Sequence, residues 1–211
     1  MGVLYEKHLG SVTGFQRELL LMTSETIRVS GIIKESIVDG PGIRLVVFAQ
    51  GCERDCPGCH NPETHPPDGG YDASLTDIIA TAKENPLLRG LSFSGGEPFL
   101  QARAFAALAR LAHAEGLDIV TFTGYTIEEL IGLGNSTSDS VSGGAGGCAD
   151  CGKGVNAREK QGDGYMELLR QTDILIDGPY MEELRTLEAP CRGSSNQRVI
   201  DVAATLKSLD L

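Results

Sequence analysis

The sequence predicts an α/β fold, an incomplete (β/α) barrel of about five to six parallel strands with a cysteine-bearing loop at its C-terminal edge. Three observations carry this expectation. Short apolar runs alternate with stretches of helical apolar spacing, the pattern of parallel strands joined by right-handed crossovers. The run Ile43 to Ala49 is apolar almost throughout, as befits a strand covered on both faces. The chemically loaded loops each follow a predicted strand, at the edge where α/β sheets and barrels build their sites. Roughly five or six such units, several of them short, are too few to close a barrel.

In chain order, residues 1 to 25 carry no clear pattern and read as an N-terminal extension, with Met22 as an alternative start. A single domain is expected over 26–211. Ile27 to Ile33 mixes apolar and polar residues as a strand does, and Asp39-Gly40-Pro41-Gly42 makes a turn into the apolar run. Asn61 to Gly70, rich in Pro and Gly, should be irregular. Ser74 caps a helix limited by Pro86, and Arg89 to Ser94 is a strand. A second helix, about Gln101 to Glu115, is closed by Gly116. Leu117 to Thr123 is a strand, followed by a helix start at Ile127. Asp173 to Ile176 and Arg198 to Val202 are the last strands, before a C-terminal helix ending at Leu209. The stretch from about 134 to 164, rich in Gly, Ser and Asp, interrupts the pattern as an insertion.

Composition narrows the function. With Lys+Arg 18 against Asp+Glu 29, the net charge of −11 argues against a nucleic-acid surface. No apolar run is long enough to cross a bilayer, and Leu19 to Met22 is too short for a signal-peptide core. The chain is therefore expected to be cytoplasmic, with neither membrane nor nucleic acid as partner. Of six cysteines, Cys52, Cys56 and Cys59 fall within eight residues. In a reducing compartment such a group binds metal or does redox chemistry sooner than it forms disulfides.

The spacing C-x3-C-x2-C suits one loop wrapped on one face of a metal centre. Thiolates are soft ligands for iron–sulfur clusters or zinc. Zinc would need a fourth protein ligand, which His60 or His65 can supply, giving a Cys3His structural site and a non-catalytic binding module. A four-iron cluster would instead have three irons held by the cysteines and one open. Spacing alone leaves both readings standing.

The triplet after one strand and Gly95-Gly96-Glu97-Pro98 after the next resemble the radical S-adenosylmethionine superfamily. Asp39-Gly-Pro-Gly-Ile-Arg44 and Cys56-Pro-Gly-Cys-His-Asn-Pro-Glu-Thr64 narrow the likeness to glycyl-radical-enzyme activases. Thr123-Gly-Tyr-Thr126, Asp177-Gly-Pro-Tyr180 and Arg192-Gly-Ser-Ser-Asn-Gln-Arg198 resemble the branch that serves anaerobic ribonucleoside-triphosphate reductases. The resemblance implies one [4Fe–4S] cluster on Cys52, Cys56 and Cys59, with S-adenosylmethionine on the open iron. It implies that Gly95, Gly96 and Glu97 hold the ligand's amino group, that the adenine meets the backbone at Gly58 and the side chain of His60, and that Cys59 also belongs to the cofactor-binding set. It further implies reductive cleavage of S-adenosylmethionine to a 5′-deoxyadenosyl radical, which takes hydrogen from a glycine Cα of the reductase. No side chain then acts as an acid or base. Flavodoxin- or ferredoxin-type electron donors are the expected partners, beside the reductase's glycyl-radical subunit. Gly58 departs from the superfamily habit of an aromatic residue before the third cysteine, as this branch does. An activase of pyruvate formate-lyase or another glycyl radical enzyme is the alternative within the same chemistry.

Cys148 and Cys151 form a second pair inside the insertion: a zinc knuckle completed from elsewhere, an auxiliary cluster, or a loop without a ligand. Cys191 stands alone, forty residues on. His113 reads as a surface or packing residue and His8 lies in the leader. Asp177 either faces the ligand or closes an ordinary Asp-Gly-Pro turn, and Arg192 to Arg198 is expected to stay out of the core.

Overall fold

The computed structural model describes residues 25–135 and 164–211; the leader, Cys148 and Cys151 lie outside them. Seven strands form one sheet: β1 (Thr26–Ser36), β2 (Ile43–Ala49), β3 (Tyr71–Ser74), β4 (Leu88–Gly95), β5 (Asp118–Phe122), β6 (Ile174–Asp177) and β7 (Arg198–Asp201). Their order is β3-β1-β2-β4-β5-β6-β7, so β3 and β7 are edges and the sheet does not close on itself. Helices α1 (Leu75–Lys83), α2 (Ala102–Ala114) and α3 (Ile127–Asn135) connect the parallel strands, and α5 (Val202–Ser208) ends the chain. A further helix, α4 (164–171), precedes β6. Among the described residues, no helix is long and apolar enough to cross a membrane.

The expected α/β alternation holds only at the centre. Four strands, β2, β4, β5 and β6, are parallel, against the five to six expected. β1 runs antiparallel to β2, and β7 antiparallel to β6. The cause is connection length: residues 37–42 between β1 and β2 make a turn, whereas a parallel crossover needs about a dozen residues or more. Between β6 and β7 there is a 3₁₀ turn, Glu182–Leu184, but no α-helix to carry the chain back. β3 and α4 were not legible in the sequence. β3 is a short edge strand paired only with β1, and α4 packs Tyr165, Met166, Leu168 and Leu169 into the core.

The core forms where helical stripes meet the sheet. α1 buries Leu75, Ile78, Ile79 and Ala82, one face at helical spacing. α2 buries Phe105 and Leu108 among five alanines, whose small side chains let the helix approach the strands. Phe105 meets Phe93 of β4 with ring centroids 4.8 Å apart. Gly116, at φ +77°, ends α2 in the left-handed conformation that glycine adopts without a Cβ penalty.

A buried cation braces this sheet. Arg44, with its side chain fully buried at the start of β2, pairs with Asp118 Oδ1 at 2.6 Å. Its Nε donates to Ser92 Oγ at 2.7 Å and Nη1 to the Pro41 carbonyl at 3.1 Å. Nη2 donates to the carbonyls of Leu91 and Asp118 at 2.6 and 3.0 Å. Burial lowers the Arg44 pKa, and the Asp118 carboxylate works against that effect. The guanidinium thereby joins the Asp39–Gly42 turn, β4 and β5 at the N-terminal edge of the parallel strands. Arg44→Met is expected to cost about 3 kcal/mol, because it strips one of two cations from Asp118 and the donors from several buried acceptors. Equilibrium denaturant unfolding of the variant against the native protein measures this.

Candidate cluster and cofactor site

The site is built where β2 and β4 end side by side. Gly96 N donates to the Ala49 carbonyl at 2.9 Å, and Glu97 N to the Gly51 carbonyl at 2.9 Å. Gly95 has φ +90°, and a Cβ there would lie 2.8 Å from Phe48 and the Ala49 backbone. A Cβ on Gly96 would run into the Gly51 carbonyl. The two glycines are thus needed for one backbone to lie against another.

From Gly51 the chain makes a loop closed at its base. Gly51 N donates to the Thr64 carbonyl at 2.7 Å and Cys52 N to the His65 carbonyl at 3.1 Å. The Gln50 side chain donates to the carbonyls of Glu63 and Pro66 at 3.2 and 2.6 Å. Inside, Cys59 N donates to the Cys56 carbonyl at 3.1 Å. This places Cys52, Cys56 and Cys59 on one pocket, of about 170 Å³, with His60, Gly95, Gly96 and Glu97. Gly58 stands outside its lining; at φ +70°, its Cα faces Glu182, whose carboxyl a Cβ would meet at 2.8 Å. Burial pushes the Cys52 thiol up, so a free thiolate there is disfavoured until a positive centre holds it.

Glu97 closes the floor. Its carboxylate accepts from Phe99 N at 3.1 Å, from the Thr123 hydroxyl at 2.9 Å and from Gly124 N at 2.9 Å. These bonds join the exits of β4 and β5. Burial raises its pKa to about 7, and the same hydrogen bonds oppose that rise. The Thr123 hydroxyl lies within reach of both carboxylate oxygens, at 2.9 and 3.0 Å.

The far wall comes from the C-terminal segment. Tyr180 meets His60 with ring centroids 4.7 Å apart. A Cβ on Gly193 would stand 3.1 Å from Tyr180 and 3.3 Å from His60. Gln197 holds this backbone: its Oε1 accepts from Gly193 N and Ser194 N at 2.9 and 3.2 Å, and its Nε2 donates to the Gly178 carbonyl at 3.1 Å. As expected, the segment Arg192 to Arg198 contributes nothing to the hydrophobic core, although Ser194 within it is fully buried. A larger neighbouring cavity, about 720 Å³, shares His60, Asn61, Ser94, Phe122 and Gly193 with the pocket.

Some residues fall elsewhere than expected, and others were missed. Asp177 does not line the pocket: it is fully buried, accepting from Ile127 N at 2.8 Å and pairing with Arg198. His113 is a surface residue, its Nε2 3.0 Å from Asp173. Arg54 was missed; it lies 4.2 Å over the Tyr125 ring, lines the pocket and pairs with Glu129 at 3.3 Å. Its only signal was a basic residue set between two thiols. Gln197 gave less, being one polar residue in a polar loop.

The donor set can be tested against the group it would hold. A single zinc ion keeps thiolates at about 2.3 Å, so three of them would lie within ~4 Å of one another. Among the described residues, no three His, Cys, Asp or Glu side chains converge as ligands of one metal ion. Three thiols lining one pocket are soft donors of the kind that iron–sulfur clusters take, and in chemistry they fit that group. His65 Nε2 lies 3.3 Å from Cys59 Sγ, a hydrogen-bond distance.

A family described as a 4Fe-4S single cluster domain matches residues 38–200. The anaerobic ribonucleoside-triphosphate reductase-activating protein of Salmonella typhi is 32% identical over 171 residues, covering 77% of this chain and 91% of that protein. Its counterpart in Escherichia coli (strain K12) is 30% identical over 172 residues, with the same coverage, 77% and 91%. The pyruvate formate-lyase-activating enzyme of Clostridium pasteurianum is 36% identical over 100 residues, 43% of this chain and 40% of that enzyme. Among solved structures, QueE from Escherichia coli is similar at TM-score 0.42 and 19% identity, over 52% of this chain and 57% of that one, too slight a likeness to argue from. The chain belongs to the 4Fe-4S single cluster domain family and to the family of anaerobic ribonucleoside-triphosphate reductase-activating proteins.

Proposed function

We propose that this chain activates an anaerobic (class III) ribonucleoside-triphosphate reductase by reductive cleavage of S-adenosylmethionine, leaving a glycyl radical on the reductase. The observation that carries the reading is one pocket lined both by Cys52, Cys56 and Cys59 and by the Gly95–Glu97 turn. The reductase activators are matched along 91% of their length, against 40% for the pyruvate formate-lyase activase, which favours the first target.

In this reading the open sheet is the wall of an incomplete barrel within one domain over 26–211. Cys52, Cys56 and Cys59 anchor three irons of a [4Fe–4S] cluster and leave the fourth for the ligand. When bound, the cluster supplies one electron and S-adenosylmethionine the carbon radical that takes a glycine hydrogen. The chain's own residues bind, orient and exclude water. Glu97 complements the charge of the ligand's ammonium. The His60–Tyr180 wall receives the adenine, with Gly193 keeping room beside it. The adjoining cavity, rimmed by the exposed side chains of Ile37, Val38 and Leu187, admits the reductase's glycine loop. A flavodoxin- or ferredoxin-type protein supplies the electron.

The direct test mixes anaerobically reconstituted protein with reductant, S-adenosylmethionine and the reductase, and reads electron paramagnetic resonance. A glycyl-radical doublet is expected, and Ala at Cys52, Cys56 or Cys59 should abolish both cleavage and signal. A colourless protein that keeps zinc at these thiols and cleaves nothing would sink the proposal. Cys148 and Cys151 changed together to Ala should leave a brown, cleaving enzyme, read by visible absorbance and 5′-deoxyadenosine yield.

Glu97 gives a pH signature. Its folded pKa of about 7 lies above the ordinary 4.5, so across that window the folded chain holds a proton that the unfolded chain has released. Its contribution to stability therefore declines as pH rises from 4.5 to 7, by up to about 3 kcal/mol. In thermal unfolding of the ligand-free protein, Glu97→Gln should flatten that decline relative to the native chain.

A further inference from the structure

We infer that His65 is a positioning residue for the cluster, donating a hydrogen bond from Nε2 to the Cys59 sulfur and holding the first and third cysteines in one frame. The inference rests on the proposed ligation by Cys52, Cys56 and Cys59. Three contacts at one residue carry it. The His65 side chain reaches Cys59 Sγ at 3.3 Å. Its carbonyl accepts from Cys52 N at 3.1 Å, and its own N–H donates to the Pro62 carbonyl at 3.2 Å. The 3₁₀ turn Pro62–Thr64, with His65 as its C-cap, fixes where the imidazole starts.

An iron-bound thiolate can only accept, so the imidazole must carry its proton on Nε2. Asn61 N, 3.4 Å away, is a second donor to the same sulfur. Cys59 thus receives two N–H groups, whereas Cys52 Sγ is itself 3.6 Å from the Arg54 carbonyl, an acceptor. The polarity of the loop is therefore uneven, with the donors gathered on the third ligand. Hydrogen bonds to cluster sulfurs favour the more negative, reduced state and raise the reduction potential. His65 would make the cluster easier to reduce without touching substrate.

The test reads the cluster and not turnover. Native protein, His65→Phe and His65→Gln are reconstituted anaerobically, assayed for iron and sulfide, and titrated potentiometrically with detection of the reduced-cluster resonance. The expected result is a loss of about tenfold in the reduction equilibrium for Phe, ~59 mV lower for a one-electron couple. Gln, which keeps an N–H donor, should recover most of the shift. Equal midpoints for native protein and Phe would overturn the inference while leaving the ligation intact. Failure of the native protein itself to take up iron and sulfide would overturn both, and iron analysis separates the two failures. Should the Phe variant hold no cluster, ¹⁵N-histidine labelling of an otherwise native His60→Asn protein decides by pulsed resonance. A resolved coupling between the reduced cluster and an imidazole nitrogen upholds the hydrogen bond, and its absence removes it.

Discussion

The close apposition of two backbones at the top of the sheet sets the geometry of everything near the pocket. Gly96 N on the Ala49 carbonyl and Glu97 N on the Gly51 carbonyl extend the β2–β4 ladder one step past the strands. Neither bond survives a side chain at Gly96, because its Cβ would occupy the place of the Gly51 carbonyl. That pair of bonds aims the cysteine loop, and it also delivers Glu97 to Thr123 and Gly124 on the next strand's exit. Three successive strand ends are thereby locked before any cofactor arrives.

The opposite edge is held by a different kind of force. There a buried guanidinium, and not a backbone ladder, ties the Asp39–Gly42 turn to β4 and β5. Arg89 adds a second cation to Asp118 at 2.9 Å, so one carboxylate serves two arginines. A buried charge is costly to isolate, which makes this edge intolerant of partial change. Arg44, the last residue of the Asp39–Arg44 motif, thus braces the side of the sheet remote from the cysteine loop.

Much of this was legible from residue order, and the unread parts share a cause. The cysteine spacing and the Gly-Gly-Glu turn are local, contiguous signals, and the structure brings them to one pocket. The central strands were legible because continuous apolar runs mark strands covered on both faces. What the sequence hid is pairing direction and distant partnership. Nothing local in Thr26–Ser36 distinguishes an antiparallel neighbour of β2 from one more parallel strand; only the short connection does. Asp177, at a strand end, looked free to face a ligand, yet Arg198 and Ile127 N, far along the chain, turn it into an internal tie. Gln197 is a polar residue among polar residues until Gly178 and Gly193 are seen beside it.

The wall formed by Tyr180, Gly193 and Gln197 also has a bearing on the order of synthesis. The cysteine loop leaves the ribosome well over a hundred residues before Gln197 does, since positions 52–65 must wait for position 197. Domains form as their chain emerges, and contacts of long sequence separation form last. In synthesis from the N-terminus, the three thiols therefore precede the segment that walls their pocket. The pocket is thus complete only when the last quarter of the chain has joined its first third.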